Sequence, residues 1–245
     1  MTRTKNPTKT AIVVGSSDGI GLALATRLVS DGWRVIGVSR SPGGLTHTGY
    51  EHLTLDVIDS AYAERLAEAC DRLGAVDLCV YCAGIGDFLR RAAPPADLAA
   101  DLAVQSRVLA VNLGGAAATV EVVLPLLAAA RSGHFIGLSS LADRLISDQA
   151  PAYAASKAGL TSYLDGLALA MRPYGVAVTT VRFGFVDTKL AKSPVTPFKI
   201  SPDRAAELIL RCVRRRPARL TAPKRMAALV WLVARITAVR LRLGR

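Results

Sequence analysis

The sequence predicts a single α/β domain with a central parallel sheet and helices on both of its faces, the doubly wound arrangement. Short apolar runs typical of strands alternate with segments whose apolar residues recur at helical spacing. Repeated β-α units of this kind place parallel strands in one sheet. A chain of 245 residues that is 51% hydrophobic is long enough to bury one such core.

Taken in chain order, the elements support this fold. Strands are predicted over residues 10–14, 34–39, 52–55, 76–83, 134–139 and 176–183, with 219–222 as the candidate for the final strand. Residues 20–29 and 61–73 carry the helical spacing, and 193–202 contains prolines typical of a loop. We expect a flexible basic N-terminus over 1–9, one folded domain over 10–222, and a helical extension over 223–245.

The charge is strongly positive and unevenly placed. Lys and Arg outnumber Asp and Glu by 31 to 19, which gives a net charge of +12, and much of the excess lies after residue 210. Such a balance suits an anionic cofactor, a membrane surface or nucleic acid. We recognise no nucleic-acid-binding module beside the basic tail, so we predict no nucleic-acid partner.

The cysteines and histidines predict no metal site. Cys79 and Cys82 spell C-x-x-C, but residues three apart on a strand point to opposite faces and cannot share one metal. His47, His52 and His134 show no ligand spacing, so ordinary surface or strand-end positions are expected for them. Four cysteines make no disulfide framework in a chain this large, and residues 1–9 show no secretion signal. We therefore predict a cytoplasmic protein.

A glycine-rich turn follows the first strand, with Gly15, Ser17, Asp18, Gly19, Ile20 and Gly21 leading into the first helix. Glycines permit a tight turn and close backbone approach, and a helix N-terminus offers N–H groups to a pyrophosphate. The second strand ends at Ser39 and Arg40, about twenty residues further on, where an arginine can accept a ribose 2′-phosphate. The turn alone would also fit a purely structural role.

Tyr153 and Lys157 are four residues apart, so on a helix they share one face about one turn apart. A free Tyr has a pKa of about 10, and a neighbouring ammonium group lowers it towards working pH, which makes the phenol a usable acid or base. Taken alone, this spacing is common on surface helices.

Together these motifs resemble the short-chain dehydrogenase/reductase family, over roughly residues 10–190. The G-x-x-x-G-x-G spacing, Asn112, Ser140, Tyr153 and Lys157 occur in the family's order. The resemblance implies a Rossmann-type fold and a homodimer or homotetramer. It also implies cofactor contacts at Asp56, Val57, Cys82, Ala83, Gly84, Gly184, Val186 and Thr188, besides the glycine turn, Ser39, Arg40, Tyr153 and Lys157.

The resemblance further implies hydride transfer between a nicotinamide and a substrate carbon, interconverting a carbonyl and an alcohol. Tyr153 would be the general acid/base and Lys157 would lower its pKa and bind the nicotinamide ribose. Ser140 would orient the substrate oxygen, with neighbouring Ser139 as the other candidate. Asn112 would hold a water in a proton relay to Lys157.

Several positions depart from the family pattern. Val14, Cys82 and Phe183 stand where relatives usually carry Thr, Asn and Pro, and each departure bears on cofactor affinity or loop order. Arg40 favours NADP(H), whereas Asp18 stands where NADP-preferring relatives often carry a basic residue. We predict NADP(H), with NAD(H) as the alternative.

Two regions bear on substrate and partners. Loops expected near the nicotinamide carry apolar residues that suggest an apolar alcohol or ketone, although core or subunit contacts would also explain them: Phe88, Leu89, Leu141, Leu145, Ile146, Phe183, Phe185 and Phe198. Residues 188–200 form a candidate lid. The apolar, basic extension after Met226 is too short for a standard transmembrane helix. Either it lies peripherally on a membrane, or it packs on its own domain or a partner subunit.

Three readings from other classes compete. A non-catalytic NADP-binding regulator on the same fold would be expected to lose Tyr153 or Lys157, and both are present. A nucleic-acid-binding protein rests on positive charge alone. An isomerase or dehydratase is disfavoured by the intact set of Asn, Ser, Tyr and Lys.

Overall fold

The computed structural model describes residues 8–90, 94–191 and 195–242. Seven parallel strands form one sheet in the order β3-β2-β1-β4-β5-β6-β7. Their bounds are β1 Thr10–Val14, β2 Arg34–Ser39, β3 Tyr50–Thr54, β4 Leu78–Tyr81, β5 His134–Ser140, β6 Ala177–Phe183 and β7 Arg219–Ala222. The predicted doubly wound fold is confirmed.

Helices connect the strands and cover both faces of the sheet. Their bounds are α1 Gly19–Ser30, α2 Tyr62–Leu73, α3 Pro95–Leu109, α4 Gly115–Ala129, α5 Pro151–Ala170, α6 Pro202–Arg215 and α7 Lys224–Arg242. A π-helical turn, Ala110–Gly114, joins α3 to α4, and short 3₁₀ turns occupy Leu141–Arg144 and Arg172–Tyr174.

Two apolar cores lie on opposite faces of the sheet. On one face, side chains such as Leu66 of α2, Val123 of α4 and Leu164 of α5 are fully buried. On the other face, Leu28 of α1 and Ile209 of α6 do the same. Strands that bury both faces need near-continuous apolar runs, which explains why β1 and β4 read as unbroken hydrophobic segments.

Strand bounds differ from the predicted ones mainly at two places. The predicted strand 76–83 shortens to β4, because Cys82 and Ala83 turn out of the ladder, with only the Cys82 amide still donating to the Val14 carbonyl at 2.8 Å. The predicted strand 52–55 instead spans Tyr50–Thr54, where Tyr50 pairs with Val35. The final strand has the predicted bounds.

The C-x-x-C pair is divided between the two faces, as predicted. Cys79 packs in the core beside α2 and α4, and Cys82 packs against the other core. All four cysteines are free thiols. Burial raises the pKa of Cys82 to about 12, so the group is a neutral thiol and a poor nucleophile at neutral pH. The described residues bring together no group of three His, Cys, Asp or Glu side chains able to hold a metal.

Among the described residues, one helical stretch, Pro95–Ala129, is long and apolar enough to cross a membrane. Half of its apolar window is buried in the fold. Core helices of globular domains show the same pattern, so the stretch is weak evidence for a membrane span. The expected N-terminal segment 1–9 lies outside the described residues except for Thr8 and Lys9.

Candidate active site

The strand order reverses between β1 and β4, so a crevice opens beyond the carboxyl ends of these two strands. The glycine turn and the Cys82-Ala83-Gly84 turn meet there. A Cβ on Gly15, whose φ is +88°, would lie 2.6 Å from the Ala83 nitrogen. A Cβ on Gly21 would lie 2.0 Å from the Gly15 carbonyl oxygen. Only glycine fits at these two positions, because a side chain would clash with the backbone of the neighbouring turn.

The N-terminus of α1 is built into this crevice. Asp18 caps the helix by accepting a hydrogen bond from the Gly19 amide at 2.7 Å. Gly19 has a φ of +53°, and a Cβ there would lie 2.8 Å from Cγ2 of Thr188. The first and last of the predicted cofactor motifs are therefore in contact. Helix N–H groups, close glycines and an adjacent loop fit the pyrophosphate of a dinucleotide.

A basic residue that the sequence motifs did not indicate lies against Asp18. Nζ of Lys189 is 2.7 Å from Oδ2 of Asp18, and this contact and the Gly19 amide lower the pKa of the Asp18 carboxyl. Lys189 directly follows Thr188 in the chain. The acidic charge of Asp18 in this loop is therefore paired with the positive charge of Lys189 in the folded protein.

The residues predicted to bind the adenosine end of the cofactor follow the ends of β2 and β3. Arg40 is exposed and makes no ion pair with any described residue, whereas Ser39 Oγ donates to the Ser41 carbonyl at 2.8 Å. Asp56 is 3.3 Å from Nη2 of Arg107. Val57 is buried, with Cγ2 2.7 Å from where a Cβ on Gly115 would lie, so its side chain packs in the core.

Asn112 lies in the π-helical turn and is fully buried. Its Nδ2 donates to the Ile85 carbonyl at 2.9 Å and to Oγ of Ser156 at 3.0 Å, and its Oδ1 accepts from the Ile85 amide at 2.8 Å. The side chain therefore fixes the Gly84–Gly86 loop. Since both Nδ2 hydrogens are used, a relay water could be held by the side chain only through the second lone pair of Oδ1.

Tyr153 and Lys157 lie on α5, one turn apart as predicted. Nζ of Lys157 donates to the Leu138 carbonyl at 2.9 Å and is 5.8 Å from the centroid of the Tyr153 ring. A Cβ on Gly84 would lie 3.4 Å from this Nζ and 3.3 Å from Oδ1 of Asn112. Lys157 and Asn112 therefore face the same glycine.

Burial dominates the electrostatics of this pair. It lowers the pKa of Lys157 to about 8, with Cys82 acting weakly in the opposite direction. It also raises the pKa of Tyr153, partly offset by a hydrogen bond with Ser140. In the protein alone, the pKa of Tyr153 is thus shifted in the opposite direction to the one that the resemblance implies, because desolvation disfavours the phenolate.

The structure distinguishes the two candidate serines. Ser139 is buried, with Oγ 3.0 Å from the Lys157 carbonyl, to which it donates, and 2.7 Å from Oγ1 of Thr161. Ser140 caps the following 3₁₀ turn, because its Oγ accepts from the Ala142 amide at 3.1 Å. Its hydroxyl proton is left to donate towards Tyr153. Ser140 therefore has the geometry expected of a substrate-orienting serine, and Ser139 that of a structural one.

A buried ion pair supports the turn after Ser140. Arg182 of β6 makes two bonds of 2.6 Å to the Asp143 carboxylate, which also accepts from Oγ1 of Thr161 at 2.9 Å. Both charged side chains are at most a tenth exposed. This network ties the 3₁₀ turn to α5 and β6, and sequence spacing gave no sign of it.

Ser140, Tyr153 and Lys157 border a cavity of about 340 Å³. Its walls are mostly apolar, and five of the eight apolar residues predicted for the substrate region line it: Phe88, Leu141, Leu145, Phe183 and Phe185. Leu89, Ile146 and Phe198 are not among its lining residues, and core or subunit contacts are the alternative that the sequence left for them. These three residues lie in connecting loops, where sequence order does not fix the direction of a side chain.

Several lining residues were given no individual role by the sequence, among them Leu190 and Ala191 after β6, and Met226 and Val230 of α7. Leu190 and Ala191 fall in the candidate lid, whose ends are joined by a bridge between Val186 and Ile200. Residues 192–194 of that segment lie outside the described residues. A helical pattern over 224–242 with small and apolar residues on one face was the available signal for α7.

The fold and the glycine turn define a dinucleotide-binding enzyme of the Rossmann type. A family model described as short chain dehydrogenase matches residues 9–196. An uncharacterized oxidoreductase of Myxococcus xanthus is 32% identical over 236 residues, 89% of each chain. The chain belongs to the short-chain dehydrogenase/reductase family and is an oxidoreductase, and that family uses NAD(P)(H).

Solved structures agree with this assignment. A short-chain dehydrogenase from Streptomyces avermitilis is 25% identical and superposes with a TM-score of 0.76, covering 97% of this chain and 96% of the other. Ligand-free aldohexose dehydrogenase of Thermoplasma acidophilum gives 0.73 at 22% identity, covering 88% and 92%, and shows the fold alone.

Proposed function

We propose that this protein is an NADP(H)-dependent reductase that interconverts a carbonyl compound and an alcohol. The observation that carries the proposal is the cavity bordered by Ser140, Tyr153 and Lys157, directly beyond the glycine turn. We favour reduction as the direction with NADP(H), and an apolar substrate because the cavity walls are mostly apolar.

The chemistry assigned to the residues follows from their contacts. When bound, a nicotinamide cofactor would supply the hydride in reduction. Ser140, whose Oγ accepts from the Ala142 amide, would donate its one proton to the substrate oxygen in place of Tyr153 as negative charge develops there. Tyr153 then protonates that oxygen. Asn112 positions the Gly84–Gly86 loop along the cofactor crevice.

Lys157 acts on Tyr153 through charge. Below a pH of about 8 it retains its proton, and a cation 5.8 Å from the ring centroid favours the phenolate form needed for alcohol oxidation. Burial opposes this in the protein alone. The Leu138 carbonyl holds the ammonium group in place beside Gly84, and its remaining donors would bind a ribose hydroxyl of the cofactor.

Tyr153→Phe tests the assignment. We expect turnover with carbonyl substrates to fall by about 10²–10⁴-fold, because only the proton donor is removed, while NADPH still binds. Tyr163→Phe is the matched control, since Tyr163 lies on the same helix, is exposed and does not line the cavity. Single-turnover rates and NADPH fluorescence titration measure both properties. Near-normal turnover in Tyr153→Phe would overturn the proposed role.

The preference for NADP(H) rests on two cations. Arg40 is exposed at the end of β2 and has no competing carboxylate partner among the described residues, so it is available to a 2′-phosphate. Lys189 pairs with Asp18, which offsets the acidic charge that argued for NAD(H) in the sequence. Both charges lie on turns at the cofactor crevice.

Arg40→Ala tests this preference. We expect NADPH affinity to fall by about 10–100-fold with little change for NADH, because only NADPH carries the phosphate that a guanidinium would bind. Arg34→Ala is the control, since Arg34 is exposed at the opposite end of the same strand. Equal losses for the two cofactors would contradict the assignment.

The remaining parts of the proposal concern setting and assembly. We place the reaction in the cytoplasm, where free thiols such as the four present here persist. Members of the family often oligomerise, and we propose a homodimer or homotetramer. Sedimentation velocity at several concentrations tests that state, and a monomer throughout would contradict it.

A further inference from the structure

Helix α7 has two different apolar faces. Its inner face packs on the domain: Val230 is 5% exposed, and Met226 lies 3.1 Å from where a Cβ on Gly184 would be. Both residues line the cavity. The helix therefore forms part of the cavity wall, and its inner face packs on its own domain.

The outer face is apolar and exposed. Leu229, Leu232, Ile236 and Val239 are 44–54% exposed and recur at spacings of three, four and three residues. That spacing places them on one stripe along the helix. Trp231 and Val233 flank the stripe and are 55% and 43% exposed. We call these six residues the outer stripe.

The charged residues of helix α7 itself have a single sign. Helix α7 contains no acidic residue. Lys224, Arg225 and Arg235 are exposed, and the guanidinium of Arg235 lies 4.9 Å from the centroid of the Trp231 ring. Arg240 and Arg242 add two positive charges to the helix sequence. A tryptophan beside basic residues on an apolar face is the composition of helices that lie in a membrane interface.

This charge pattern selects the occupant of the face. Pairing α7 with the same helix of a second copy would bring their arginines together, with no carboxylate in either helix to compensate. An anionic bilayer offers both an apolar interior for the outer stripe and phosphate groups for the cations. We propose that the outer stripe of α7 docks the protein onto an anionic membrane surface.

The position of α7 gives this docking a consequence for substrate access. Met226 and Val230 line the cavity from the same helix that carries the outer stripe. A docked protein therefore holds its cavity next to the membrane interface, and lipid-dissolved alcohols and carbonyl compounds are the substrate class that this arrangement favours. That last step rests on the proposed reductase function, whereas docking does not.

Co-sedimentation of the full chain with vesicles tests the docking. We expect binding to an equimolar mixture of phosphatidylcholine and phosphatidylglycerol, and at least about tenfold weaker binding to phosphatidylcholine alone. Raising the salt concentration should weaken binding to the mixture. Equal binding to both vesicle types, or none to either, would overturn the proposal.

Paired substitutions locate the surface. Leu232→Gln with Ile236→Gln should weaken vesicle binding at least about tenfold without altering charge. Leu98→Gln with Leu102→Gln on α3 is the control, because these leucines are similarly exposed, at 47% and 50% against 51% and 48%. Equal losses in both pairs would overturn the assignment to α7. So would a fall in oligomer mass for the α7 pair, by light scattering, with vesicle binding retained.

Tryptophan fluorescence reports on the same helix. Trp33 and Trp231 are the two tryptophans, so Trp33→Phe leaves Trp231 as the single reporter. Its emission should shift to shorter wavelength with the anionic vesicles, because an exposed indole enters an apolar interface. Trp231→Phe should show no such shift. Unchanged emission in Trp33→Phe would contradict insertion of the outer stripe.

These readouts need no turnover, so docking and catalysis fail separately. Vesicle binding without carbonyl reduction by any substrate would remove the proposed function and leave the docking intact. Reduction of carbonyl compounds by a protein that does not bind anionic vesicles would remove the docking and leave the proposed function intact.

Discussion

At the residue scale, the candidate site depends on a buried cation. Lys157 is 4% exposed, and within the described part of the chain its ammonium group donates to the Leu138 carbonyl. Desolvation lowers its pKa to about 8, which is a free-energy cost to the folded state at neutral pH. A group that is expensive to bury and is retained beside a phenol and a glycine crevice is typical of a functional position.

Lys157→Met should therefore stabilise the fold while abolishing turnover. The lowered pKa corresponds to about 3 kcal/mol of desolvation cost at pH 7, and the Leu138 carbonyl left without a partner returns about 1–2 kcal/mol of it. We expect a net gain of about 1–2 kcal/mol in the free energy of unfolding, measured by urea titration without cofactor. A variant less stable than the wild type would contradict this account.

At the scale of elements, the site is held by the turn between β5 and α5. Ser140 caps this turn, and Asp143 ties it to Arg182 of β6 and Thr161 of α5. The π-helical turn between α3 and α4 performs a similar task for Asn112, where the Tyr81 hydroxyl donates to the Val111 carbonyl at 2.6 Å. Irregular turns anchored by buried side chains set the positions of the reacting groups.

Asp143→Asn tests the anchoring of the Ser140 turn. Because Arg182 would keep a buried charge without its counterion, we expect unfolding to become easier by about 3–5 kcal/mol. Asp143→Leu combined with Arg182→Met removes both charges and should recover much of that loss. Urea midpoints measure the three proteins. A loss below about 1 kcal/mol in Asp143→Asn would match an exposed pair instead and contradict the buried network.

At the scale of the whole molecule, a histidine far from the site couples global stability to pH. His134 begins β5, is 2% exposed and lies 2.7 Å from Oγ1 of Thr179 through Nε2. Desolvation, helped by the positive charge of Arg216, lowers its pKa to about 4. In the unfolded chain it titrates near 6.5. Between pH values of about 4 and 6.5, His134 therefore binds a proton in the unfolded state but not in the folded state.

Acid should consequently destabilise the protein through His134. The stability associated with a neutral His134 is complete above pH 6.5 and is lost as the pH falls towards 4. The free energy of unfolding should fall by about 2 kcal/mol between pH 7 and pH 5. His134→Gln should reduce the slope of unfolding free energy against pH over that range. His47→Gln, at an exposed site, is the control and should leave the slope unchanged. Parallel slopes for wild type and His134→Gln would disprove this coupling.

Much of the fold could be predicted because its signals are local. The bounds of β1, β2 and β7 agree with the predicted ones, since strand periodicity and flanking turns lie within a few residues. The ends of β4 could not be predicted, because Cys82 and Ala83 are apolar yet leave the ladder to cover the crevice. Where an apolar run ends as a strand depends on what the neighbouring loop packs against.

The candidate site divides in the same way. The four-residue spacing of Tyr153 and Lys157 and the glycine turn could be read from the chain, because each lies within one element. The Lys189–Asp18 pair joins residues about 170 positions apart, and Met226 reaches the cavity from the final helix. No spacing rule connects such residues.

The sequence by itself determined the order of strands and helices, the glycine turn at the start of α1, and the one-turn separation of Tyr153 and Lys157. Only the tertiary structure decided which serine donates its hydroxyl proton to α5 and which accepts a hydrogen bond instead, how Asp18 acquires a cation, and which face of α7 stays exposed. The physical reason is the separation along the chain over which each interaction acts. Backbone periodicity and caps act over a few residues, whereas burial and ion pairing depend on which distant segments the completed sheet brings together.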